Sequence, residues 1–291
     1  MTFAPSASAV HNSGRRAHIV DTLIAERAPK LAESLAWPLA RPLLYGLLGY
    51  AKARRMADAI APMEGRDALD YVSDLLALKV SVQGLQNVPR TGACVVVVCN
   101  HPTGIADGVA VYDTLKAVRP DLCFYANADA HRVVPAFGEV LIPVEWVEAK
   151  RTREQTRNTL RLTREALEAG RCLVIFPAGR LARQQRDGAL VDPEWMPSAV
   201  TLARKYDAPV LPIHVSGPWS TLFHLFHRMS GELRDITLFH ELLNKRGRAF
   251  ALVIGRPISP EALDGDAIEV TARLKAHVEH DVPQDPTRAF A

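Results

Sequence analysis

The 291-residue chain has only four cysteines, and none forms a Cys-x-x-Cys pair or neighbours a histidine at metal-ligand spacing. Cys94, Cys99, Cys123 and Cys172 lie in or beside apolar runs, so they read as small core residues in a reducing cytoplasm. Net charge is scarce too. A formal +3 permits contact with anionic lipid or phosphate, and with basic residues spread over several elements it argues against a nucleic-acid partner. No uninterrupted run reaches the ~20 apolar residues a spanning helix needs. The first thirty residues show no charged segment followed by an apolar core and cleavage site, which argues against a signal peptide. There is no internal repeat, no low-complexity tract, and no Gly-x-Ser-x-Gly turn to present a serine nucleophile. His131, His214, His224, His227 and His240 form no spaced cluster with acids, so no metal is expected.

What is present is an ordinary globular composition, 48% hydrophobic, enough for a sizeable core. After an Ala- and Ser-rich start to about Arg16, Ile19–Leu31, Leu39–Met63 and Ala68–Leu78 read as helices. Strand patterns then appear at Lys79–Gln83, Ala93–Cys99, Asp121–Ala126, Glu139–Val144, Cys172–Pro177, Val210–Val215 and Phe250–Ile254. Helical patterns at Gly108–Val118, Arg153–Ala169 and Glu194–Tyr206 lie between several of them. That alternation predicts an α/β fold: a mostly parallel central sheet flanked by helices, over residues 67–291, with an N-terminal helical segment over 1–66. Trp37 to Tyr50 is apolar and aromatic but broken by Arg41 and two prolines, with Lys52, Arg54 and Arg55 following. Such a segment fits either a membrane-interface helix or a buried helix of a small subdomain. Trp219 to Met229, around His224 and His227, leaves a similar choice between a membrane-facing lid and core packing.

Two stretches stand out. The first, Asn100-His101-Pro102-Thr103-Gly104-Ile105-Ala106-Asp107-Gly108, follows the most β-branched strand. Thr103 reads as the N-cap of the next helix, which sets Asp107 about one turn in, with its carboxylate able to point back at His101. A carboxylate on one ring nitrogen fixes the tautomer and frees the other to accept a proton, which suits a general base. Taken alone, the pair fits a polar turn and a favourable helix-start charge equally well. The second stretch, Leu173-Val174-Ile175-Phe176-Pro177-Ala178-Gly179-Arg180-Leu181-Ala182-Arg183, again ends a buried strand in a Pro/Gly turn, here offering arginines. In parallel sheets ligands bind at the carboxyl ends of strands, where both stretches sit. Arginine adds two-pronged recognition of phosphate or carboxylate.

Together with Asp192-Pro193-Glu194-Trp195, Ala208 to Pro212, Glu241 to Gly247 and Ile254 to Ile258, these stretches resemble the lysophospholipid acyltransferase superfamily. The likeness spans roughly Leu78 to Ile258 and is nearest the bacterial hemolysin-like and lyso-ornithine-lipid O-acyltransferase branch. It departs from the common pattern twice. Five residues separate His101 and Asp107 where most members have four, and Ala178 stands where the motif usually reads Phe-Pro-Glu-Gly. The resemblance implies an acyltransferase without a cofactor, moving a fatty acyl group from acyl-CoA or acyl carrier protein to a lysolipid hydroxyl. It would work peripherally on the cytoplasmic face of the inner membrane, against an anionic membrane surface. His101 would be the base and Asp107 its orienting partner. Asn100, Gly104, Lys150, Arg151, Pro177, Gly179 and Arg180 would line the substrate site, with amides near Gly104 or Gly179 as oxyanion donors. A lipid hydrolase and a non-catalytic lipid binder of the same fold are the rival readings.

Overall fold

The structure is a computed structural model describing residues 17–90, 95–145, 151–184 and 190–291. Five helices open the chain: α1 (Ile19–Arg27), α2 (Pro29–Ala32), α3 (Trp37–Leu47), α4 (Tyr50–Ile60) and α5 (Gly65–Leu76). Strand and helix then alternate: β1 (Lys79–Gln83), β2 (Val95–Cys99), α6 (Ile105–Leu115), β3 (Leu122–Asn127), α7 (Asp129–Val133), β4 (Leu141–Val144), α8 (Arg153–Glu168) and β5 (Cys172–Ile175). A short hairpin, β6 (Arg183–Gln184) and β7 (Leu190–Val191), precedes α9 (Ser198–Lys205) and β8 (Val210–Ser216). The chain closes with α10 (Thr221–Met229), α11 (Gly231–Asp235), α12 (Leu238–Leu243), β9 (Ala249–Ile254), α13 (Ala267–Ala276) and a π-helical turn at His277–Asp281.

The main sheet has seven strands in the order β1-β9-β8-β2-β5-β3-β4. All neighbours pair in parallel except β8 and β9, so the sheet is the mostly parallel one that the alternation predicts. β2 lies at its centre, between β8 and β5. A central parallel strand is covered on both faces, which is why its sequence is a continuous run of Val with no polar alternation. Val97 and Cys99 enter one apolar cluster with α1, α4, α5 and α6, whereas Val98 enters the other with α8, α9 and α13. The N-terminal helices therefore share a core with the sheet. Val20 and Leu23 are buried in the same cluster as Val97 and Leu211.

Both expected N-terminal helices are divided in the structure, Ile19–Leu31 at Ala28 between α1 and α2. The expected continuous helix Leu39–Met63 is broken, because Gly49 takes a left-handed conformation (φ +67°) between α3 and α4. The Trp37–Tyr50 segment resolves into two faces. Trp37, Leu44 and Tyr45 pack against the core, while Leu35, Leu39, Leu43 and Leu47 form an i, i+4 stripe between 55% and 100% exposed. Lys52, Arg54 and Arg55 are exposed on α4. No helix among the described residues is long and apolar enough to cross a membrane.

β2 and β8 are tied together just beyond their ladder. The Asn100 amide donates to the Val215 carbonyl (2.9 Å) and accepts from the Val215 N–H (2.7 Å), both buried. Truncating it leaves two buried backbone groups unpaired at about 1–3 kcal/mol each. Asn100→Ala is expected to lower unfolding free energy by roughly 2–4 kcal/mol in urea denaturation, with the slope unchanged.

Candidate active site

The central strand delivers Asn100 and His101 to the carboxyl edge of the sheet, and α6 starts immediately after. Gly104, not Thr103, is the residue at the helix start, with φ +103° and ψ −149°, a region that side chains avoid. Thr103 is drawn instead to Asp107, donating both its N–H (2.8 Å) and its hydroxyl (2.5 Å) to the carboxylate. Gly104 N–H donates to the same carboxylate (2.9 Å), while Asp107 N–H returns a bond to the Gly104 carbonyl. Asp107 is 0% exposed. Its side chain satisfies the loose amides of the helix start and reaches His101 in the same pose.

The His101 Nδ1 lies 3.0 Å from Asp107 Oδ2. A carboxylate surrounded by donors accepts there, so Nδ1 carries the proton and Nε2 keeps its lone pair. The imidazole rests on the Phe176 ring (4.5 Å between centroids, 40° between planes) and stays 16% exposed. The backbone of His101 is held from both sides. Its N–H donates to the Asp192 carboxylate (3.1 and 3.2 Å), and its carbonyl accepts from Ala182 N–H (2.9 Å). Asp192 also accepts from Trp195 Nε1 (3.0 Å), and burial pushes its carboxyl up to about 6. Sequence reading placed Asp192 in a motif without a role. Its spacing from His101, 91 residues along the chain, carried no signal of contact.

The second stretch surrounds this histidine. Phe176 and Pro177 are buried, the Pro177 carbonyl accepts from Met196 N–H (3.1 Å), and Arg180 is exposed. Ala178 is buried in the same apolar cluster as Trp195, so that side chain faces packing, not solvent. A glutamate at 178 would carry its charge into that cluster.

Other expected site residues stand apart. The Asn100 amide is occupied by Val215 at both ends. The Gly104 N–H is given to Asp107 and the Gly179 N–H to the Phe176 carbonyl (3.0 Å), so neither expected oxyanion amide is open in this conformation. Arg151 is exposed before α8, its Nε donating to the Glu145 carbonyl at the end of the edge strand β4. Lys150 and Cys94 lie outside the described residues. Among the described residues no group of three His, Cys, Asp or Glu side chains is placed to hold a metal.

The neighbouring Cys99 is fully buried, and desolvation together with the Asp107, Cys172 and Asp192 charges pushes its thiol well above the ordinary range. It is no nucleophile for the adjacent histidine. α10 carries His224 and His227. Burial lowers the titration of His227, and the charges of Arg234 and Arg183 add to it, which places the β6 arginine within electrostatic reach of this helix. His224 is buried beside the Trp219 and Phe223 rings, each 5.3 Å away, and is held toward neutrality by burial. Leu225 and Met229 on the outer side are 50% and 65% exposed. The helix is therefore neither all core nor all surface.

This geometry supplies a base with a fixed tautomer and an adjoining exposed arginine. Asp107→Asn puts an NH₂ group among four donors. It is expected to reduce turnover about 10²–10⁴-fold and to lower thermal stability, read by steady-state kinetics and calorimetry on one preparation.

The Acyltransferase family model matches residues 79–216, from β1 to the end of β8. A lyso-glycine lipid O-acyltransferase of Phocaeicola vulgatus is 29% identical over 210 residues, 69% of this chain and 71% of that protein. A lyso-glycine lipid O-acyltransferase of Bacteroides thetaiotaomicron is 25% identical over 206 residues, 69% and 73% of the two chains. Among solved structures, the 1-acyl-sn-glycerophosphate acyltransferase PlsC of Thermotoga maritima aligns with a TM-score of 0.48 and 16% identity, over 92% of this chain and 100% of that one. With His101 and Asp107 joined at the end of the central strand and the Phe176 ring against the imidazole, the chain is similar over residues 79–216 to the Acyltransferase family and, with these lysolipid O-acyltransferase relatives, is an acyltransferase.

Proposed function

We propose that the protein transfers a fatty acyl group from a thioester to the hydroxyl of a lysolipid at a membrane surface. The observation that carries the reading is His101, with Nδ1 committed to a buried carboxylate and the ring still partly open. In the reaction His101 Nε2 removes the proton from the acceptor hydroxyl as its oxygen attacks the thioester carbonyl. The tetrahedral intermediate collapses, the carbon–sulfur bond breaks, and the leaving thiolate takes the proton from His101. An ester and a free thiol result. Asp107 steadies the imidazolium through the middle of this sequence, as the third member of a triad does. Acyl-CoA and acyl carrier protein are the two thioester donors of suitable chemistry.

For the acceptor we favour an amino-acid-derived lysolipid with a carboxylate. Arg180 is exposed beside the His101 loop, and arginine matches a carboxylate in two-pronged geometry. The Glu of the common motif is absent, and Ala178 faces the core, so the turn offers no carboxylate to bind glycerol hydroxyls. The relatives named for lyso-glycine lipid support this class and extend it beyond lyso-ornithine lipid. Incubation with labelled acyl-CoA and acyl carrier protein, against lyso-glycine lipid, lyso-ornithine lipid and lysophosphatidic acid, is expected to yield diacyl product from an amino-acid lysolipid. His101→Ala should abolish it while the fold persists, and Arg180→Ala should raise acceptor KM with little change for the donor. Preference for lysophosphatidic acid would overturn the headgroup assignment alone.

Membrane association rests on the leucine stripe of α3 beside the basic face of α4, with no spanning helix among the described residues. A polar-faced helix exposing apolar residues to one side lies in the interface plane, and nearby cations add attraction to anionic lipid. The protein is expected to float with anionic liposomes in a density gradient. Leu39→Glu with Leu43→Glu should return it to the unbound fraction without changing its circular dichroism.

A further inference from the structure

Asp192 is buried, lies outside the His101–Asp107 pair, and aims its carboxylate at the backbone that carries the base. Both of its oxygens accept from the His101 N–H, and Oδ2 also accepts from the Trp195 indole. Its own carbonyl accepts from Lys275 Nζ (2.8 Å), which anchors the loop to α13. On the same residue, the His101 carbonyl is tied to Ala182. The segment that bears Phe176, Arg180 and Trp195 therefore grips His101 on both backbone groups. The His101 backbone cannot shift relative to that segment without breaking one of these bonds.

We propose that Asp192 is a positioning residue for His101: its charged carboxylate fixes the backbone of the base against the acceptor loop, and turnover depends on that charge. This rests on the acyl-transfer reading above. The groups that face Asp192 are His101 after β2, Trp195, Glu279 in the π-helical turn and Lys275 at its carbonyl, with the fully buried, neutral Cys99 thiol of β2 within its electrostatic reach. Burial, with a smaller contribution from Glu279, raises the carboxyl to about 6, and the bonds from Trp195 and His101 oppose that rise. A group raised in this way is charged above about pH 6 and neutral below it. The charge-assisted bonds to His101 and Trp195 are then present at neutral pH and weaken as pH falls through that value. Neutralisation of Asp192 is therefore expected to contribute to any loss of activity on the acid side.

The test is the pH dependence of kcat in wild type, Asp192→Asn and Trp195→Phe, at saturating acyl thioester and lysolipid. Asparagine keeps the shape but turns an NH₂ group toward the His101 N–H. A displacement of the base of about 1 Å can cost 10²-fold, so kcat should fall roughly 10- to 100-fold with the thioester KM unchanged. The acid limb of log kcat in wild type should carry an inflection near pH 6 from Asp192 that is absent from Asp192→Asn. Trp195→Phe removes a donor from the carboxylate, so its acid limb should move to higher pH. It also keeps the question open to experiment if Asp192→Asn fails to fold. Wild-type kcat and limb in Asp192→Asn, or an unmoved limb in Trp195→Phe, would overturn the proposal. The His101 Cε1–H signal followed by NMR against pH gives a readout independent of activity. An inflection near pH 6 in wild type that is absent from Asp192→Asn supports the hold of Asp192 on His101 even if no lysolipid is acylated, and identical profiles in the two overturn it.

Discussion

Everything at the catalytic end of the sheet depends on one buried carboxylate. Asp107 has no solvent, and removing a carboxylate from water costs several kcal/mol unless donors replace it. Four do: the Thr103 N–H and hydroxyl, the Gly104 N–H and the His101 imidazole. Hydrogen bonds to charged groups contribute about 1.5–3 kcal/mol each, enough to offset such a cost. The same bonds shape the loop. All four come from residues 101–104 themselves, so the turn that presents the base is wound around the group that orients it. Local folding and catalytic geometry are here one set of interactions.

The rest of the architecture can be understood as support for that turn. A central parallel strand, apolar on both faces, is the stiffest element the sheet offers, and it ends at Cys99 two residues before the base. Asn100 then clamps to β8, and Asp192 and Ala182 clamp His101 to the loop after β5. β8 and β5 are the two neighbours of β2 in the sheet. The base is therefore fixed from both flanking strands, and a substrate held by either side meets it in one register. Precision of this kind matters because general-base help is worth only about 10²–10⁴-fold and is lost quickly with misalignment.

Much of this was legible in the residues. The Val-rich run at 95–99 declared a buried strand, and the sequence order of strands and helices declared a mostly parallel sheet. His101 and Asp107 could be paired because both lie within one local turn, where spacing determines reach. What local spacing could not supply were contacts made across the chain. Asn100 was expected to line the substrate site, and its partner Val215 lies 115 residues away; Asp192 had no assigned role for the same reason. The Thr103 cap was misplaced because a side chain that can cap a helix can equally be claimed by a stronger acceptor, and Asp107 claimed it. The break at Gly49 was hidden by an apolar pattern that continues through it on both sides.

The departure at Ala178 acquires a physical reason once the core is seen. A glutamate in the common motif needs an open, polar position beside the loop. Here Trp195 occupies that neighbourhood, 4% exposed, with its indole nitrogen turned to Asp192 and its ring in the cluster that holds Ala178. A small residue at 178 and a large one at 195 fill one space together, as close packing requires. The acidic function has not simply disappeared. The carboxylate now bound to Trp195 is Asp192, and it faces the backbone of the base instead of the acceptor. On its own turn Arg180 has no neighbouring glutamate.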